Sequence, residues 1–462
     1  MNAHRPRVRH RQEGIAWVLA ILCLVLLSGL AAAMLMQTSA GVQISSNHGH
    51  VARALLAAES GLSFMLQQLD TLQLSPDTTP DTFTANLRDA LDSRFSRTEL
   101  LNGSAIEVIG GTVVVPEIIC SDGAFQSSFE LVSPERARIR VRGRHDEVTR
   151  TIAMEFAVVR RMSAVFDYGL ASRGQVTISG NTSIRGVNDP NEASVLSVTS
   201  SNPDAIRIDG SVTIDGDLAV SAEASYVSIS GSPTIAGSSD PAVIAEHIHT
   251  GAEAPVFPAP NTAQFAELPT QTIDGNTDLN SQDLVLNNIC IKAGTNPTFT
   301  RDVTLNGIVL VESPNIVRFE GKARLNGMLV TEEGDQPIES CQIHFAGHVE
   351  AREVETLPSL PEYEAIKEYT GTFILAPGFG VTFAGNVSAI NGTIAADQLT
   401  FTGTAEGLVK GAVIGLKDLP TSLSGNVEIR VDRSGSDPNP AGFIQPVGLS
   451  PEFDSYVEIA GG

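Results

Sequence analysis

Apolar residues crowd the first part of this chain and then thin into short, regular pulses. From Ile15 to Met36 no residue carries a formal charge, and Ser28 is the one hydroxyl in the run "IAWVLAILCLVLLSGLAAAMLM". Past it, Val51, Leu55, Ala58, Leu62, Met65, Leu69 and Leu72 recur at spacings of four and three, the stripe of an amphipathic helix. Gly41 and the weak helix formers "SSNHG" (45–49) lie between the two stretches and predict a kink or a melted turn. Prolines in "SPDTTPDTFTANL" (75–87) end this helix, and a short one follows. Between 105 and 160 the period drops to two. "AIEVIGGTVVVPEI" comes first, then "RARIRVRGRHDEVTRTIAMEFAVV", a hairpin expected to turn at Gly143–Asp146.

After Arg161 helical periodicity disappears, and short β-branched runs alternate with Gly, Ser, Thr and Asn. These runs repeat. "IDGSVTIDGDLAV" at 208–220 returns as "ISGSPTIAGSS" at 229–239, and "VTLNGIVLVES" at 303–313 returns as "ARLNGMLVTEE" at 323–333. "TFAG" at 382 returns as "TFTG" at 400, and a G-x5-G spacing recurs at Gly180/Gly186, Gly210/Gly216, Gly231/Gly237 and Gly321/Gly327. Strands of three to five residues at a period near twenty predict a β-solenoid, in which stacked coils bury what one coil cannot. A β-sandwich has the short strands but not the fixed offset. "PVFPAPNTAQFAELPTQ" (255–271) and "EVETLPSLPEYEAIKEYTG" (353–371) interrupt the repeat and read as loops crossing the outside of a coil.

The 22 residues from Ile15 to Met36 would form a helix ~33 Å long, enough for a ~30 Å hydrocarbon core. Arg5, Arg7, Arg9 and Arg11 precede it and predict a cytoplasmic N-terminus. Three readings of the run stay open: a cleaved signal with its small residues at Ala31–Ala33, a permanent span, or an anchor that is later reused in a filament.

A basic leader ending in Gly14 against an apolar run resembles the N-terminus of type IV prepilins. "RQEGIAWVLAIL" looks most like PilX-type minor pilins, and next most like the K-type pseudopilin of type II secretion. The resemblance implies processing between Gly14 and Ile15, leaving the helix as the new N-terminus. Major pilins carry a glutamate five residues past the cut; here that position is Leu19, which places the resemblance with the minor-pilin and pseudopilin branch. "ALLAAESGL" (54–62) resembles the A-x-x-A-A-E-[AS]-G-[LI] segment of the same family, which implies an assembly contact at Glu59 and close helix packing at Gly61. Glu59 also reads simply as a solvated helix-flank residue. The second half resembles a Gly-rich domain found after PilX-type N-termini, and in style the bactofilins.

The expected fold is mainly β. A leader (1–14) precedes a transmembrane and amphipathic helix (15–72), a small pilin-like α+β domain (73–160), a parallel β-helix expected to be right-handed (161–433), and an irregular C-terminal cap (434–462). With 30 Lys+Arg against 53 Asp+Glu the net charge is −23, which argues against nucleic acid and anionic lipid as partners and suits a solvated extracytoplasmic body. Four cysteines (Cys23, Cys120, Cys290, Cys341) contain no C-x-x-C. Cys290 and Cys341 are read either as a disulfide between neighbouring layers or as two buried thiols.

Catalysis finds little support. Asp209, Asp215 and Asp217 are the candidate carboxylates, but Asp209 and Asp215 precede glycines in a corner pattern that turn chemistry explains. His247 and His249 share a face if their segment is a strand, but no third ligand shows a matching spacing; His344 and His348 are a weaker pair. The sequence therefore predicts no catalytic, cofactor or metal residue. Residues 15–36 predict a single-pass inner-membrane protein, and the resemblance implies that its partners are other pilin or pseudopilin subunits and their assembly machinery. A surface or carbohydrate ligand of the β-helix is left unassigned. A bactofilin-like envelope scaffold and a membrane-tethered carbohydrate-active enzyme are the alternative readings.

Overall fold

Helix wins over the whole stretch from Glu13 to Asp70. In the computed structural model, which describes residues 13–96, 98–121, 123–222, 224–279, 281–435 and 439–459, this helix (α1) passes through Gly41 and residues 45–49 without a break. The expected melted turn is absent. Each weak helix former there costs about 1 kcal/mol or less, and strong helix on both sides outweighs a few such positions. The leader residues up to 12, including its four arginines, lie outside the described residues.

The chain divides into two compact units, one formed by residues up to Leu72, Thr82–Val158 and residues from Leu449, the other by Gln73–Asp81 and Val159–Gly448. The second is thus an insertion in the first. In the first unit, α2 (Phe83–Phe95) is followed by β1 (Glu107–Ile109), β2 (Thr112–Cys120), β3 (Gly123–Ser133), β4 (Arg136–His145) and β5 (Val148–Arg160). These strands form an antiparallel sheet in sequence order, closed on the β5 side by the C-terminal strand Val447–Ile459. The tail expected to be irregular therefore ends in a 13-residue strand, tied by the Ser455 hydroxyl accepting from the Glu155 amide at 2.7 Å. An edge of β5 left unpaired would expose its amides, and this strand satisfies them.

Alternation orients the sheet. On β4, Ala137, Ile139 and Val141 are buried while the arginines between them point away. Arg138 and Arg140 on that outer face pair with Glu155 at 2.6 Å and Glu130 at 2.7 Å. The inner face meets Ala54, Ala58, Leu62, Met65 and Leu69 of α1, and Phe83, Leu87, Leu91 and Phe95 of α2 are buried as well. The β4–β5 turn lies at Asp146–Glu147, two residues later than expected from Gly143. Gly143 serves packing instead: a Cβ there would press into Ala54 O and Ala58 N of α1.

In the second unit nearly all strand pairing is parallel, and the sequence repeats are the pairs. Val176–Gly180, Ile206–Gly210 and Val227–Gly231 align residue for residue, with Ile178, Ile208 and Ile229 in one column and three glycines at positive φ in another. Val303–Val311 lies on Ala323–Thr331, matching Asn306 to Asn326 and Gly307 to Gly327. Thr382–Phe383 lies on Thr400–Phe401. Inside, Phe299, Phe319, Phe345, Phe383 and Phe401 stack with centroids 4.9–5.1 Å apart and planes within 7–14°, the spacing of neighbouring strands. Asn287, Asn306 and Asn326 form a side-chain ladder, each amide donating 2.8 Å to the one before.

The chain enters this stack in its middle. Thr421–Gly425 pairs with Val176–Gly180, so the last layer lies on the first: residues 170–250 build outward on one side, and residues 271–425 start at the far end of the other side and build back toward it. The two interrupting segments cover a second apolar cluster. Phe257 and Phe265 from one, and Val354, Leu357, Tyr363 and Ile366 from the other, are buried with outward residues such as Ile308, Leu375 and Ile414.

Candidate functional site

Residues 16–49 of α1 are exposed on every side. Trp17, Leu24, Leu35 and Met36 are each 70–74% exposed, and the stretch is long and apolar enough to cross a membrane. Its few polar groups are satisfied locally: Ser28 donates to Val25 O at 2.9 Å and Thr38 to Met34 O at 2.7 Å. That matters because an unpaired hydroxyl in hydrocarbon is costly. Gly14 and Ile15 fall within the helix. Between Met36 and the first half-buried residue, His50, lie 13 residues, about 20 Å of helix, all but Ala40, Val42 and Ile44 being Gln, Thr, Ser, Asn, His or Gly.

Glu59 and Gly61 sit on the packed half of α1. Glu59 is exposed and accepts from the Tyr456 hydroxyl at 3.4 Å; burial and then Glu59 push that phenol above its ordinary value. Gly61 lies against Phe125 of β3, where a Cβ would come within 2.5 Å of the ring. The close packing expected between helices is thus made in this structure to the chain's own sheet. Leu55 is half-buried at the edge of the stripe, and Leu62, Met65, Leu69 and Leu72 are buried.

Cys290 and Cys341 are both buried, free thiols in this structure and belong to different apolar clusters. Cys341 Sγ lies 3.4 Å from the Ser313 hydroxyl. Cys290 donates to Glu312 at 3.5 Å, and burial, then Glu312, raises its pKa, leaving a poor nucleophile. A cavity of about 610 Å³ beside it is lined by Asn261, Thr270, Lys292, Glu312, Glu332 and Glu333.

The three corner aspartates do not form one carboxylate site. Asp209 accepts from Ser230 at 2.9 Å. Asp217 instead joins the two histidines: its oxygens lie 2.7 Å from His247 Nδ1 and 3.0 Å from His249 Nε2. Burial opposes ionisation of this carboxyl, but the two imidazole hydrogen bonds prevail and hold its pKa below the ordinary value. Each carboxylate oxygen already has an imidazole partner, which makes the trio a hydrogen-bonded bridge. His344 is half-buried in register with Arg318, and burial, then Arg318, lowers its pKa. Two groups gave no sequence signal. Asp397 is buried with one oxygen lacking a hydrogen bond, and burial, partly offset by Lys417, lifts its pKa to about 6. His50, His145 and Asp146 converge although α1 and the β4–β5 turn are far apart in sequence.

No family model matches this sequence, and no curated protein matches it. Among solved structures, the competence-associated pilin ComZ from Thermus thermophilus aligns at 13% identity over 89% of this chain and 98% of that chain. Its TM-score of 0.23 is too low for the superposition to carry an argument about fold or function.

Proposed function

We propose that this chain is a membrane-anchored structural subunit of the minor-pilin type, carrying an extracytoplasmic β-helical body and no catalytic site. The observation that carries this reading is α1 itself. One unbroken helix runs from an all-round apolar half, exposed from residue 16, into a half that packs on an antiparallel sheet. Such a helix needs lipid before assembly and neighbouring helices after it. The parallel pairing at offsets near twenty, with its phenylalanine and asparagine ladders, supports the β-helix for the body. Leu19 in place of the registering glutamate favours a low-copy position at filament initiation or tip over the shaft of a type IV pilus or pseudopilus. In that role the body serves adhesion or initiation.

Sequencing the N-terminus of protein extracted from membranes that contain a prepilin peptidase tests the reading. A start at Ile15 is expected. A start at Met34 would make the segment an ordinary signal peptide, and an intact Met1 would make it a permanent anchor; either result removes the pilin proposal.

A further inference from the structure

His50 is where α1 first touches the folded unit, and what it touches is the tip of the β4–β5 hairpin. Its Nδ1 lies 3.1 Å from Asp146 Oδ2, and the same oxygen is 3.7 Å from His145 Nε2. The three atoms all lie within 4.8 Å of one another, and the two imidazole centroids are 5.3 Å apart. Four-coordinate zinc with ligand bonds of ~2.0–2.1 Å separates its ligand atoms by about 3.3–3.5 Å. The two imidazole–carboxylate spacings, 3.1 and 3.7 Å, bracket that value. We propose that His50, His145 and Asp146 bind one divalent transition-metal ion of the zinc class, with water completing the shell.

Two further observations point to a ligand at this place. His50 Nδ1 is buried and makes no well-directed hydrogen bond, although a carboxylate is 3.1 Å away. Such an orphaned ring nitrogen is what a metal ion satisfies. The other nitrogens set the tautomers. Ser46 Oγ lies 3.2 Å from His50 Nε2 and can accept its proton, which leaves a lone pair on Nδ1. Arg53 Nη1, always a donor, lies 3.4 Å from His145 Nε2, so that nitrogen presents its lone pair. Arg53 is exposed, and it swings aside when the cation enters. Asp146 is held at the turn by a positive φ of 51°. A bound ion would clip the emerging helix to the hairpin and fix its direction of exit.

Purified full-length protein in detergent, titrated with Zn²⁺ by calorimetry and with Co²⁺ by absorption, is the test. The expected result is one site per chain with the visible bands of four-coordinate cobalt. His50→Ala and His145→Ala are each expected to weaken binding by at least about tenfold, with circular dichroism unchanged. Arg53→Ala, which removes a competing cation, should tighten it. The double variant His247→Ala, His249→Ala should bind as the parent does. Zinc uptake undiminished in a folded His50→Ala, His145→Ala protein, no effect of Arg53→Ala, or no uptake by the parent would each overturn the proposal.

Discussion

The two large sheets among the described residues are built on opposite principles. The six-stranded antiparallel sheet never repeats itself: Gly143 admits the backbone of Ala54 and Ala58, and Gly61 admits Phe125, each contact made once. The 25-stranded parallel sheet repeats nearly everything, with an isoleucine, glycine, asparagine or phenylalanine placed on its own kind layer after layer. In the first, one wrong atom removes the contact that seats the helix. In the second, each layer adds its own increment and leans mainly on its neighbours, so damage stays local.

The largest effect is expected at Gly143→Val. Its side chain would enter the backbone of α1, a cost of more than about 4 kcal/mol that releases the helix from the sheet. Calorimetry of the full chain should show the transition of the first unit lost and that of the second unmoved. If both move together, the contrast between the units fails. Phe345→Ala, in the middle of the ring stack, is expected to cost about 3–4 kcal/mol through lost burial and a cavity. Hydrogen exchange should accelerate in the flanking layers 316–319 and 380–383 while strands at both ends of the stack keep their protection. Uniform acceleration would mean that the stack unfolds as one.

Asp397 sharpens the comparison from the side of charge. Its folded pKa of about 6 exceeds its ordinary 3.8, so the fold holds this proton more tightly than the open chain does. The stability tied to this proton is fully present below about pH 4 and is lost as the pH rises to about 6. The difference amounts to about 3 kcal/mol, and Asp397→Asn is expected to recover up to that amount at pH 7 and nothing at pH 3.5. Urea midpoints at the two pH values measure it. The smallest structural effect belongs to Glu59→Ala, whose exposed bond to Tyr456 is worth less than about 1 kcal/mol. The melting profile should stay put while the amount of this chain in purified filaments falls. Equal amounts of variant and parent in filaments would remove Glu59 from assembly.

Local patterns were legible in the sequence. The charge-free run, the heptad stripe and the period-two hairpin each reside within a few turns or strands, and the offsets of twenty and twenty-one are the very pairings found between 303–311 and 323–331 and between 208 and 229. Contacts made across long stretches of chain were not. Nothing near Asp217 announces His247 and His249, nothing near His50 announces His145, and the C-terminal strand finds β5 only after the inserted unit is complete. Gly143 shows the limit from another side. A glycine that admits a helix and a glycine that turns a chain look the same until the packing partner is known.

A stack entered in its middle also has a history during synthesis. Gly180 waits for its partner Gly425, which emerges 245 residues later. At about 5–20 residues per second, the open edge of Val176–Gly180 stands uncovered for roughly 12–50 s. Over that interval a nascent chain carries a strand edge able to pair with another nascent chain of its own kind. Keeping such chains apart, or shielding that edge, becomes a task for the cell that makes this protein.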